Sequence, residues 1–136
     1  PKQTFLKLYF TEKHIMDAKI NKIENVAVIT IPGDQLDSSN TRDFKEQMGM
    51  VLDENKQVIF DLSSVRFIDS SGLGAILSFL RRLHDEGGDL KLVGLTKPVR
   101  MLFELVRMHR IFEIFNTADE AVSSFSAPQA QVVMAA

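Results

Sequence analysis

Asp37, Asp69 and Ser70 are the residues of this 136-residue chain whose types and spacing could do chemistry. Two loop carboxylates could share acid and base roles, and a serine hydroxyl beside an aspartate could act as a nucleophile. A nucleophilic Ser70 needs a base within hydrogen-bond reach. The histidines are His14, His84 and His109, which the pattern puts at an early strand and at two helix ends, away from the aspartate loops. The pattern G-x-S-x-G is absent, because Asp69-Ser70-Ser71-Gly72 lacks its first glycine. Gly72-Leu73-Gly74 does not open a phosphate loop either. No G-x-x-x-x-G-K occurs, and Leu77 stands where G-x-G-x-x-G requires its last glycine. Asp34 and Asp37 are too sparse for calcium, and no paired-histidine motif supplies a metal site. The bland account of the carboxylates is two loop aspartates, one of them helping to cap a helix. The expectation is a protein with no catalytic residue, no metal and no cofactor, with a small nucleotide-binding enzyme as the alternative from another class.

What is left is a hydroxyl on a protein surface. Phosphorylating Ser70 would add about −1.5 to −2 charges beside Asp69. At ~5 Å and an effective dielectric near 20, each unit pair costs roughly 3 kcal/mol. That is about a hundredfold in affinity for whatever docks there. On the residues alone, reading Ser70 as a simple helix cap takes precedence.

The elements that must position these residues are legible from periodicity. Val58-Ile59-Phe60-Asp61-Leu62 is a short apolar run of buried-strand type. Leu73, Ile76, Leu77, Leu80 and Leu83 form one helix face, ended by Gly87-Gly88. The segment 67–74 is therefore a strand-to-helix turn in which Ser70 and Ser71 can cap free amides, while Gly72 and Gly74 leave room for another surface. Met16, Ala18 and Ile20 alternate as a strand with one wet face. Glu24-Asn25 turns into a second strand, Val26 to Ile31, which Pro32-Gly33 closes, giving a hairpin. Ser38 or Ser39 offers a cap for a helix through Phe44, Met48, Val51 and Leu52. Leu90 to Val93 is a strand. Thr96 and Pro98 open a helix whose buried stripe is Val99, Leu102, Phe103 and Val106, with Arg107, His109 and Arg110 at its end. Ile111 to Phe115 is a short strand, and Thr117-Ala118-Asp119-Glu120 is a capping box for a last helix through Phe125. Strands alternating with about four helices predict an α/β sandwich with a mixed sheet, parallel at its centre. Function in such sheets gathers beyond the carboxyl ends of the strands. The Asp34–Ser39 and Asp69–Gly74 loops both belong there.

Composition narrows the class. Apolar residues make up 45 % and charged residues 25 %, enough for a single core. A net charge of −2 disfavours nucleic acid as a partner. The absence of cysteine excludes disulfides and thiol catalysis and fits a reducing compartment. No apolar run approaches the ~20 residues of a membrane span, so a cytoplasmic protein without a membrane partner is expected. Residues 1–13, with Phe5, Leu6, Leu8, Tyr9 and Phe10, form an apolar N-terminal arm or added residues. Residues 14–125 are the domain, and residues 126–136 a flexible tail.

The stretch Ile59-Phe60-Asp61-Leu62-Ser63-Ser64-Val65-Arg66-Phe67-Ile68-Asp69-Ser70-Ser71-Gly72-Leu73-Gly74 resembles the signature of STAS domains, and within them that of bacterial anti-sigma factor antagonists. Gly33 to Asp37 resembles the family's loop before its first helix. Leu92-Val93-Gly94 and Pro98-Val99-Arg100-Met101-Leu102-Phe103 resemble a later strand and helix. The resemblance runs from about His14 to Phe125.

The resemblance implies a STAS-like sandwich and partner switching. It implies binding to an anti-sigma factor that is also a serine kinase of the histidine-kinase-like ATPase fold. Phosphorylation of Ser70 by that kinase would release the complex, and a metal-dependent serine phosphatase would restore it. Carried over residue by residue, the contact surface is Asp37, Asp69, Ser71, Gly72, Leu73 and Gly74. The chain departs from the family pattern in three places. Gln35 lengthens the Gly33 loop by one residue, the N-terminal arm is longer and is a candidate for homodimerisation, and the tail is extra. The alternative within the family is a STAS scaffold or regulatory subunit of a larger assembly, not controlled by Ser70.

Overall fold

The computed structural model describes residues 18–126. The expectations for the arm at 1–13, for His14 and Met16, and for the tail beyond Ser126 lie outside the described residues.

Strand β1 (Lys19–Ile23) turns through Glu24 and Asn25, both at positive φ, into β2 (Val26–Thr30). Two successive left-handed residues make the tight turn whose twist matches a hairpin, and β1 and β2 pair antiparallel, Ile23 opposite Val26 and Lys19 opposite Thr30. The first strand thus lies later than the Met16–Ile20 alternation suggested, because the turn sets its register. From β2 onward the pairing is parallel. β4 (Gln57–Asp61) lies beside β2, β6 (Asp89–Val93) beside β4, and β7 (Ile114–Phe115) beside β6, in the order β1-β2-β4-β6-β7. The mixed sheet with a parallel centre is as expected. β7 is shorter than the predicted Ile111–Phe115, since Met108–Arg110 forms a 3₁₀ turn that holds Ile111 and Phe112 out of the sheet.

Two residues on either side complete a second, two-stranded ribbon that periodicity did not reveal. β3 (Gln35–Leu36) pairs parallel with β5 (Phe67–Ile68).

Four helices follow strands as expected: α1 (Thr41–Glu54), α2 (Ser70–Asp85), α3 (Lys97–Leu105) and α4 (Ala118–Ser126). Strand alternation decides which face each covers. Ala27, Ile29, Val58, Phe60, Leu90 and Leu92 point to the main core, shared with α1, α2 and α3. Phe44, Phe60 and Phe79 meet edge to face there, with ring centroids 5.5–6.1 Å apart, the arrangement aromatic quadrupoles favour. Val26, Val28, Ile59 and Val93 point the other way, against Ala121 and Val122 of α4. The buried Lys91 on that face donates to Ser124 Oγ at 2.7 Å and pairs with Glu113 at 3.2 Å. The α4 capping box forms, Glu120 N donating to Thr117 Oγ1 at 3.2 Å and Thr117 N to Glu120 Oε1 at 3.4 Å. Helix α2 stops where Gly87 takes φ +83° and Gly88 N donates to Leu83 O at 2.7 Å.

Helix α3 ends at Leu105, so Val106 does not join its buried stripe; 45 % of Val106 is exposed. Thr96 precedes the helix, but its hydroxyl donates to Val65 O at 2.7 Å instead of capping. That bond ties the loop after β6 to the segment leading into β5.

Candidate functional site

The site is built by the β3–β5 ribbon. Asp34 O accepts from Arg66 N at 2.7 Å and Phe67 N at 3.1 Å, and Leu36 O accepts from Asp69 N at 3.3 Å. Ser64 Oγ sits 2.9 Å from Ile31 O and 2.8 Å from Gly33 O. The chain leaving β2 and the chain leaving β4 therefore run side by side, and their two aspartate loops end as neighbours.

Asp69 joins them. Its backbone is extended, φ −99° and ψ −173°, as a residue preceding a helix should be. One carboxylate oxygen accepts from Gly72 N at 3.0 Å and caps α2, and the other accepts from Ser38 N at 3.1 Å across the ribbon. Asp69 is thus the cap, and neither Ser70 nor Ser71 is; they occupy the first two helical positions and are exposed. The reason is geometric. A capping side chain must reach back from outside the helix to the second or third amide, and the ribbon ends at Ile68, which leaves Asp69 in that place.

Asp37 does its work inside its own loop. Its carboxylate accepts from Ser39 N at 2.9 Å and Ser39 Oγ at 2.6 Å, while its carbonyl accepts from Asn40 N at 3.1 Å and Thr41 N at 2.9 Å. Helix α1 is preceded by Asn40, not by Ser38 or Ser39. Asn40 is spent on the loop, accepting from Asp37 N and donating to Gln35 O, each at 2.9 Å. The two serines are displaced from capping because Asp37 turns the chain before the helix begins.

The predicted contact residues fall in one place. Ser70, Ser71 and Gly74 are exposed on the first turns of α2, and Leu73 is half-buried against the core. Ser70, Leu73, Gly74 and Leu77 share one face by their spacing of three and four. Gly72 is buried and serves the fold, because a β-carbon there would lie 2.3 Å from Leu36 O and 2.9 Å from Ile68 Cγ2. The room expected at Gly72 for another surface is taken up by β3. At Gly74 an added β-carbon meets nothing within 4 Å, so that position is open.

Among the described residues, no side chain or carbonyl takes up the Ser70 hydroxyl, and no group of three or more metal-ligating side chains forms. His84 is paired with Asp89 at 2.9 Å, about 21 Å along α2 from Ser70 at 1.5 Å per residue.

Sequence reasoning missed two participants. The Ser38 amide bridges the loops, a contact over 31 positions of sequence. Phe67, 54 % exposed, is an aromatic side chain standing out of the ribbon beside Asp69. Its signal was available. Strand side chains alternate, so a buried Ile68 turns Phe67 outward.

The STAS domain family model matches residues 17–121. A Thermotoga maritima protein whose name, anti-sigma factor antagonist, is provisional is 34 % identical over 106 residues, covering 74 % of this chain and 91 % of that protein. The anti-sigma-B factor antagonist of Bacillus subtilis is 26 % identical over 99 residues, covering 73 % and 88 %. Among solved structures, an anti-sigma factor antagonist from Mycobacterium paratuberculosis aligns with a TM-score of 0.73 at 21 % identity, over 82 % of this chain and 95 % of that one. The murine anion transporter Solute Carrier 26 family member A9 aligns with a TM-score of 0.69 at 19 % identity, over 79 % of this chain and 19 % of the transporter. The last two likenesses concern the fold alone.

Proposed function

The chain belongs to the STAS domain family, and from that premise we propose that it is an anti-sigma factor antagonist working by partner switching. Unphosphorylated, it binds an anti-sigma factor that is also a serine kinase of the histidine-kinase-like ATPase fold. The contact surface is Asp37, Asp69, Ser71, Gly72, Leu73 and Gly74, with Gly72 acting through the backbone it allows. The kinase phosphorylates Ser70 and the complex separates; a metal-dependent serine phosphatase reverses the change in the cytoplasm. The chain itself carries out no turnover, since ATP and magnesium belong to the kinase.

The observation that carries this reading is the contrast at one helix start. The Ser70 hydroxyl is exposed and unengaged, while the adjacent carboxylate has both oxygens engaged by amides, at 3.0 and 3.1 Å. Adding a phosphate breaks no internal bond. The positive end of the α2 dipole favours the phosphate by about 0.3–1 kcal/mol, so the fold persists. The new charge, about −1.5 to −2, stands on the surface a partner would cover. Removing water from it on contact makes each like-charge pair at ~5 Å worth roughly 3 kcal/mol.

The test is an affinity capture from the native host with wild type, Ser70→Ala and Ser70→Asp as baits. The expected result is an ATPase-fold serine kinase on wild type and Ser70→Ala, lost by about a hundredfold on Ser70→Asp, with the melting temperature unchanged. The same proteins on all three baits would overturn the switch and favour a STAS scaffold.

A further inference from the structure

Helix α3 is apolar on two sides. Val99 and Phe103 are buried in the core, and Leu102 packs against it. Met101 and Leu105, four residues apart on the outward side, are 59 % and 80 % exposed. Val106 and Ile111, 45 % and 50 % exposed, extend the surface around the 3₁₀ turn. A helix in a folded domain ordinarily turns one apolar stripe inward and a polar face out. Contiguous apolar surface with a polar rim marks a contact site.

The rim says what kind of partner fits. Lys97, Arg100, Arg107 and Arg110 surround the apolar residues, with Glu104 among them. Among the described residues none of these four cations forms an ion pair. The cations of the neighbouring α2 are arranged differently: Arg82 is held by Asp53 and Glu86. The chain's own candidates for the surface do not match it. The arm at 1–13 carries Lys2, Lys7 and Lys13 against a single Glu12, and residues 127–136 carry no charged side chain. A symmetric pair of copies would set the same arginines against one another.

We infer that the Met101–Leu105–Val106–Ile111 surface docks an acidic amphipathic segment of another protein, with apolar side chains seated on Met101 and Leu105 and carboxylates meeting Arg100, Arg107 and Arg110. This surface is separate from the Ser70 surface. Helix α3 runs back against the parallel strands, so Leu105 lies about 12 Å along the helix from Lys97 at 1.5 Å per residue, toward the opposite edge of the sheet from Asp69. The inference does not depend on phosphorylation of Ser70.

The experiment titrates the isotope-labelled full chain with two helical peptides and follows amide and methyl resonances. One peptide carries a leucine face flanked by glutamates. The other keeps the leucines and replaces every glutamate with lysine. The expected result is perturbation of Met101, Leu105, Val106 and Ile111 by the acidic peptide. Its binding should be at least about tenfold tighter than that of the basic one, as two or three exposed ion pairs allow. Leu105→Glu, a change at an exposed position, abolishes binding. Arg100→Glu with Arg110→Glu reverses the peptide preference. Equal affinity for both peptides, or perturbation confined to Asp69–Gly74, overturns the inference. So does a change at these resonances on dilution, which would mean a second copy, or on deleting residues 1–13 or 127–136, which would mean a segment of the chain itself.

Discussion

The two aspartate loops use the same residue types to opposite ends. Each has an aspartate followed by two serines before a helix, Asp37-Ser38-Ser39 and Asp69-Ser70-Ser71. In the first, the carboxylate closes on its own loop and holds the Ser39 hydroxyl at 2.6 Å. In the second, the carboxylate reaches out of its loop to Ser38 N and into the helix to Gly72 N, and both following hydroxyls face solvent. The difference lies in what precedes each aspartate. Asn40 supports Asp37 from within a turn, whereas the β5 strand delivers Asp69 extended at the very start of α2. A serine becomes accessible for modification here because a neighbouring aspartate has taken over the capping that the serine could have done.

The comparison breaks most sharply at Gly72. Gly72→Ala forces a methyl group to within 2.3 Å of Leu36 O, so β3 and β5 must part. About 3 kcal/mol of stability should be lost, the upper range for overpacking, visible as a lower midpoint in urea unfolding. Gly74→Ala, two positions on, has open space and should stabilise the helix by about 0.5–1 kcal/mol. Equal effects at the two glycines would mean that the ribbon does not hold the loops together.

Next in size are the carboxylates. Asp69→Ala removes a cap, worth about 1 kcal/mol, and a charge-assisted bond across the ribbon, and should cost about 2 kcal/mol in all. Asp37→Ala should cost about 1 kcal/mol, because its carbonyl bonds to Asn40 and Thr41 survive the substitution. A reversed order in chemical denaturation would show that the first loop is the structural one. The hydroxyls sharpen the same point at lower cost. Ser39→Ala should lose about 0.5–1 kcal/mol with its bond to Asp37, and Ser70→Ala should stay within about 0.5 kcal/mol of wild type, as an exposed, unbonded side chain does.

Much of this was readable from the chain because it rests on local signals. The Glu24-Asn25 turn, the Thr117–Glu120 box and the Gly87 stop each act within a few residues, and each stands where its residues predict. The alternation of strands and helices likewise gave the mixed sheet. What escaped depends on distant partners or on very short elements. Two-residue strands are too brief for a period of two to register, so β3 and β5 were unseen, and with them the Ser38–Asp69 bond. Capping was assigned to Ser38, Ser39, Ser70 and Ser71 on propensity, yet tertiary pairing decided it for Asn40 and Asp69. At α3 the error was one of length. Val106 continues the apolar spacing, but the turn at Arg107, with φ 65°, ends the helix and leaves Val106 exposed.

The smallest expected effect sits at the other end of α2, where acid should act without touching the site. The Glu86 carboxyl is held below the usual carboxylate range by its hydrogen bond to the Lys56 ammonium, and further by the Arg82 guanidinium, against a smaller opposing effect of desolvation. A carboxyl whose value falls on folding binds more protons in the unfolded chain. Its contribution is therefore complete above about pH 4.5, the ordinary value, and is lost as pH falls through the lower folded value. Both groups of the Lys56–Glu86 pair are partly exposed, so the contribution is that of a screened surface pair. Glu86→Gln should accordingly melt slightly below wild type at pH 7 and together with it well below pH 4. A difference that persists in acid would show that Glu86 acts through packing or neutral hydrogen bonds. Peptide binding at α3 and partner capture through Ser70 should both be unaffected at pH 7. This variant is therefore the control that separates a general loosening of α2 from a change at its first turn.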